Sequence, residues 1–252
     1  MNSVPINAII ITILFGSALI AMFVARFLPA HNLSPESKSV VSVSVAVIGT
    51  LSALVVGLLI STANSSFIAK AQEVSDISAN VIRLDRLMQR FGVQAQDGRV
   101  LLRHYTAAEM QDLFPENSDQ APNMQNIATA SMLEELQNKI VAFMPANDTQ
   151  RWLQAQSLQR TTEIIAAHWQ LAQGVESTPR PLLLLVLFWF VIIFASFGLF
   201  APFNATSIVA IFLCSVGVGS AIRIITELQE PFGGLIRVSN ASLTHALEVI
   251  SR

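Results

Sequence analysis

Charge and cysteine are scarce in this sequence. Of 252 residues only 13% are Asp, Glu, Lys or Arg while 52% are hydrophobic, a balance that excludes an ordinary soluble domain. The formal net charge is -2, and no Lys/Arg cluster rises above scattered charges, which excludes a strongly basic nucleic-acid surface. Cys214 is the one cysteine, so neither an intrachain disulfide nor a multi-cysteine metal site can form. The histidines, His31, His104, His168 and His245, show no HExxH spacing, no i,i+4 pair and no cysteine partner, and zinc is not expected. There is no GxSxG, no Gly-rich phosphate loop and no nucleophile beside a base. Asp85 with Arg86, and Glu134 with Glu135, read as solvated surface or local ion pairs. The chain is therefore read as no enzyme, without cofactor or metal. No alternating strand pattern occurs, and the predicted fold is all-α.

Long apolar runs are what the sequence does have. From Ser39 to Phe67 no residue is charged, which exceeds the ~20 residues that cross a bilayer core as a helix. The run continues without proline to Gly92, so a single rod is predicted, emerging into water at Lys70, Glu73 and Asp76. Beyond that point Val74, Ile77, Val81, Leu84, Met88 and Phe91 alternate steps of three and four. This short heptad seam predicts a stripe buried against partner helices, with Arg83, Asp85, Arg86 and Arg90 mostly facing elsewhere.

The span itself has two faces. Gly49, Ala53, Gly57, Ser61 and Ser65 recur every four positions, and with Ser39, Ser42, Ala46, Thr50 and Asn64 they cover about half of the helix. Opposite them stand Val41, Val45, Ile48, Leu51, Val55 and Leu59. Hydroxyl and amide groups in hydrocarbon need partners, so the branched side is read toward lipid and the small side toward protein or water. Close helix packing and a water-lined pore wall both satisfy this pattern.

Three more spans are predicted around the rod: 6–28, 182–200 and 206–225. A polar connection from His31 to Lys38 makes the first two an antiparallel hairpin (1–67), and the short turn 201–205 does the same for the last two (181–227). The first run is too long for a signal-peptide core and lacks a basic leader, so it is read as a retained span. Between the hairpins, 68–180 reads as a helical domain. A helix from Gln94 to Phe114 carries Val100, Leu101, Tyr105 and Ala108, and a second, from Ile127 to Met144, aligns Leu133, Leu136, Ile140 and Phe143. A third, capped by Asn147 or Asp148, offers Trp152, Leu158, Ile165 and Leu171 for packing as far as Gln173. Pro115 to Gln125 reads as a loop, and Ser177 to Pro181 as the entry to the third span. The tail 228–252 adds a short helix, Ala241 to Ile250. Ten of the fifteen Lys and Arg lie between Lys70 and Arg180, which places this side and both termini in the cytoplasm.

If water follows the small face of the second span, the pore-lining candidates are Thr50, Leu54, Gly57, Leu58, Ser61 and Asn64, with Leu54 and Leu58 narrowing the path. Glu73 and Asp76 are charged-ring candidates at its exit. Arg223 and Glu227, four apart at the end of the fourth span, are either such a ring or an ion pair at the membrane edge. If the small face packs instead, Gly49, Ala53 and Gly57, with Gly217 and Ala221, are the helix-packing points. The uncovered small surface predicts a homo-oligomer. The partners are then the lipid bilayer, further copies of the chain and small ions.

The stretches NVIRLDRLMQR (Asn80 to Arg90), RVLLRHY (Arg99 to Tyr105), SFGLFAPFNAT and ELQEPFGGLIRVS (Glu227 to Ser239) resemble the bestrophin-like domain family of bacterial membrane proteins. That resemblance implies four spans with cytoplasmic helices continuing from them, in a bacterial inner membrane. It further implies an oligomeric channel with the second span along the pore. Bestrophins proper are pentameric anion channels with an aromatic hydrophobic neck on that span. Here the only aromatic of the span is Phe67, at its cytoplasmic end, and acidic exit residues favour cations. A non-conducting membrane scaffold or sensor, whose cytoplasmic helices bind a protein partner, is the competing reading.

Overall fold

A computed structural model describes residues 3–29, 34–115, 121–173 and 180–252, the side chains of 3–6 and 180 excepted. His31 of the polar connection and Ser177 to Pro179 before the third span lie outside the described residues. Helices α1 (Ser3–Val24), α2 (Pro35–Phe91), α3 (Gln96–Leu113), α4 (Ile127–Val141), α5 (Asp148–Ala172), α6 (Arg180–Phe200), α7 (Ala205–Leu228) and α8 (Ala241–Ser251) follow in order. No strand occurs among the described residues. The chain divides into one unit of residues 1–66 with 176–230 and another of 67–175 with 231–252.

The first unit contains α1, α6, α7 and the beginning of α2. Its four helices are long and apolar enough to cross a membrane, and only 11 to 28% of each apolar window is buried. Surfaces this apolar and this open need lipid or further protein around them. Leu14, Ala18 and Met22 of α1 pack on Phe194 of α6 and Ile211 of α7. Contact is closest at Gly198, where a Cβ would lie 1.9 Å from the carbonyl oxygen of Ala18. A similar approach at Gly219 would bring a Cβ within 2.6 Å of Ile11 Cγ1. Asn204 caps α7, its side-chain oxygen accepting from the Ser207 amide at 2.8 Å.

The predicted seam is the core of the second unit. Val74, Ile77, Val81, Leu84 and Met88 are wholly buried, and Phe91 nearly so. Gly92, at φ 111°, ends α2 in a backbone conformation that a side chain would strain. Leu133, Leu136, Ile140 and Phe143 join the core as expected, although α4 stops at Val141, short of Met144. Asn147 is the cap of α5, accepting from the Gln150 amide at 2.8 Å.

Two of the predicted packing sets shift. Val100 and Trp152 are exposed, and Leu158 and Ile165 only flank the core. The predicted Tyr105 and Leu171 are buried, and the faces they belong to run through Leu102, Thr106 and Glu109 on α3, and through Leu153, Ser157, Thr161, Ile164 and His168 on α5. Thr106, Ser157 and Thr161 each donate to the carbonyl four residues earlier, so their hydroxyls are buried without loss of a partner.

Neutral amides tie the turn between α4 and α5. Gln154 Nε2 donates to the carbonyls of Ile140 at 2.8 Å, Val141 at 3.2 Å and Phe143 at 3.1 Å. Gln150 Nε2 reaches the carbonyl of Phe91 at 3.1 Å.

Candidate functional site

Helix α2 is turned so that its two faces are treated differently within one chain. Val41, Val45, Ile48 and Val55 are half-buried and Leu59 is buried. The aliphatic side thus packs inward, where the sequence suggested lipid; of its residues only Leu51 is exposed. Ser52 also lies on the inward side, fully buried, and its hydroxyl has no partner among the described residues.

The outward half carries every pore-lining candidate. Thr50, Leu54, Gly57, Leu58, Ser61 and Asn64 are all exposed, and Leu54 and Leu58 remain 69% and 66% accessible. Thr50 Oγ1 donates to the Ala46 carbonyl at 2.9 Å, which leaves its lone pairs directed outward. A Cβ on Gly49 or Gly57 would meet nothing within 4 Å, and the same holds at Gly217. Ala53 is exposed and Ala221 half-buried. These packing candidates have room around them; the tight glycine contacts inside the chain are at Gly219, which belongs with Ser215, Gly217 and Ser220 to the small-residue surface the sequence shows on the fourth span, and at Gly198, which the sequence left unmarked. The signal available for Gly198 was a single glycine among large residues in SFGLF.

The charged candidates are not equivalent. Lys70 is buried, donating to the Gln170 carbonyl near the end of α5 and to Glu73 Oε2 at 3.0 Å. Its ammonium offsets the Glu73 carboxylate, which is itself half-buried. Asp76 is exposed and accepts a neutral hydrogen bond from Gln72 Nε2 at 3.0 Å. Arg223 Nε lies 3.6 Å from Glu227 Oε1, and the Glu227 side chain is buried.

Two further polar contacts escaped sequence reasoning because their partners are distant in the chain. Asp85 is buried rather than turned to solvent, and Arg99 grips it through two nitrogens. That bond holds the Arg99 guanidinium above its ordinary pKa. His168 Nδ1 sits 3.0 Å from Glu109 Oε2, both side chains buried. Burial, and then the negative charge of Glu109, pushes the Tyr105 phenol well above its ordinary pKa, so Tyr105 stays neutral. No grouping of three or more His, Cys, Asp or Glu suited to a metal occurs among the described residues.

Four membrane-length helices, one of them running on without a break into a second helical unit, define an all-α membrane protein of bestrophin fold. A family model for the Bestrophin-like domain matches residues 12–243, and the chain belongs to that family. The crystal structure of a bacterial Bestrophin homolog from Klebsiella pneumoniae is similar with a TM-score of 0.65 at 15% identity, over 96% of each chain. A single-residue variant of that homolog gives 0.68 at 15% identity, over 99% of this chain and 97% of the other. At such identity the likeness establishes the fold. No curated protein matches the sequence.

Proposed function

We propose that this chain is the subunit of an oligomeric ion channel of the inner membrane, with the outward half of α2 lining the pore. The observation that carries this reading is the inversion on α2: its aliphatic side packs within the chain, while Thr50, Gly57, Ser61 and Asn64 are left open. A side-chain amide such as that of Asn64 on an open membrane face is costly against lipid and favourable against water. With subunits around an axis, Ser61 and Asn64 partly replace an ion's hydration, and Leu54 and Leu58 form a constriction that gates by dewetting. Family membership supports the same reading. The second unit and both termini belong to the cytoplasm in this arrangement, following the distribution of Lys and Arg.

Purified protein in liposomes should pass small monovalent ions, and native mass in detergent should be a multiple of the chain mass. The open space at the exposed Gly57 supports the competing scaffold reading, in which neighbouring helices pack there. An oligomer with no flux at any voltage, calcium level or pH tested would favour the scaffold. A monomer would overturn both.

A further inference from the structure

Within the first unit, a cavity of about 630 Å3 separates the beginning of α2 from α6 and α7. Val45, Ala46 and Gly49 form one wall, and Phe197, Ile211 and Cys214 stand on the other. Its lining is largely apolar but includes Lys38 and Ser42 from the first turns of α2 and Ser207 from the first turn of α7, just after the α6–α7 turn. At that turn the Arg26 guanidinium lies 4.2 Å from the centroid of Phe203. Lys38 is exposed and enters no ion pair among the described residues. Glu36, the nearest acid in the sequence, is exposed at the start of α2 and makes no ion pair with Lys38.

We propose that the cavity is a binding site for an anionic phospholipid, one acyl chain lying between α2 and the α6–α7 pair and the phosphate at Lys38. An apolar space in a membrane protein is filled by whatever apolar matter can enter it, so size and charge decide the occupant. A flexible hydrocarbon chain is narrow enough. Lys38 supplies the charge complementarity, because an ammonium on a flexible stem at the membrane edge is attracted to an anionic headgroup. Ser42 and Ser207 add hydroxyl donors to the lining.

Cys214, exposed at the cavity wall, reports occupancy directly. In detergent micelles carrying phosphatidylglycerol, its modification by N-ethylmaleimide should be about fivefold slower than in micelles carrying phosphatidylcholine, the factor one basic residue contributes at an anionic surface. Lys38→Gln, a change at an exposed position, should abolish the difference between the two lipids. Ala46→Leu should fill the space and slow the reaction equally in both. Equal rates for the unaltered protein in the two lipids would overturn the proposal. So would slow modification in both lipids that is relieved when the oligomer is diluted to single chains, since a second copy would then be the occupant.

Discussion

Asp85 of α2 and Arg99 of α3 form a two-pronged ion pair, Nε to Oδ1 at 2.7 Å and Nη2 to Oδ2 at 3.2 Å, with the Asp85 side chain only 3% exposed. Removing one partner leaves the other charge in the bundle without compensation. Arg99→Met should cost about 3 kcal/mol, whereas the double change Asp85→Leu with Arg99→Met should recover most of that loss. Thermal unfolding of the detergent-solubilised protein measures both; equal losses in the single and double variants would refute the pairing.

The same pair shows where sequence reading ends. Helical periodicity located the seam from Val74 to Phe91, because apolar residues at steps of three and four mark a buried stripe whatever lies opposite. It could not pair Asp85 with Arg99, fourteen positions on, or Glu109 with His168, since such partners meet only once the turns between helices are known. Trp152 and Val100 drew attention by hydropathy, yet Ser157, Thr161 and Thr106 are buried, because a hydroxyl that donates to its own helix counts as polar in the sequence but demands nothing of its neighbours. On α2 the outward set Thr50, Gly57, Ser61 and Asn64 was legible from spacing. The inward turn of Val41, Val45 and Ile48 was not, as an aliphatic face suits lipid and protein equally.

Gly198 and Gly57 should respond oppositely to a side chain. Gly198→Ala places a Cβ against the Ala18 carbonyl within the same chain, so stability should fall by about 3 kcal/mol, the upper end for overpacking. Gly57 has open space around it, and Gly57→Leu should leave the single chain's stability nearly unchanged while weakening assembly. Melting temperature and native mass separate the two effects. Intact assembly in the Gly57 variant would remove that face from the interface.

If the acidic exit of α2 selects ions, Asp76 should dominate. Lys70 already compensates Glu73 at 3.0 Å, while Asp76 has a neutral partner. Asp76→Lys should lower the cation-to-anion permeability ratio in liposomes, and Glu73→Gln should change it far less. The reverse ranking would contradict this assignment.

Cysteine labelling tests the orientation. In a Cys214→Ser background, cysteines replacing Ser34 and Ala205 should react with an impermeant maleimide added outside intact cells. One replacing the exposed Ser131 should react only after lysis. Labelling of the Ser131 variant from outside would invert the topology.

The amide of Gln154 holds three carbonyls with two hydrogens, and chemical ageing could rewrite that arrangement by a single atom. Hydrolysis of the side chain to glutamate replaces both donors with a carboxylate facing the oxygens of Ile140, Val141 and Phe143. Attraction becomes repulsion without any change in shape. The turn between α4 and α5, which the neutral Gln154 amide ties, would then acquire a dependence on acidity.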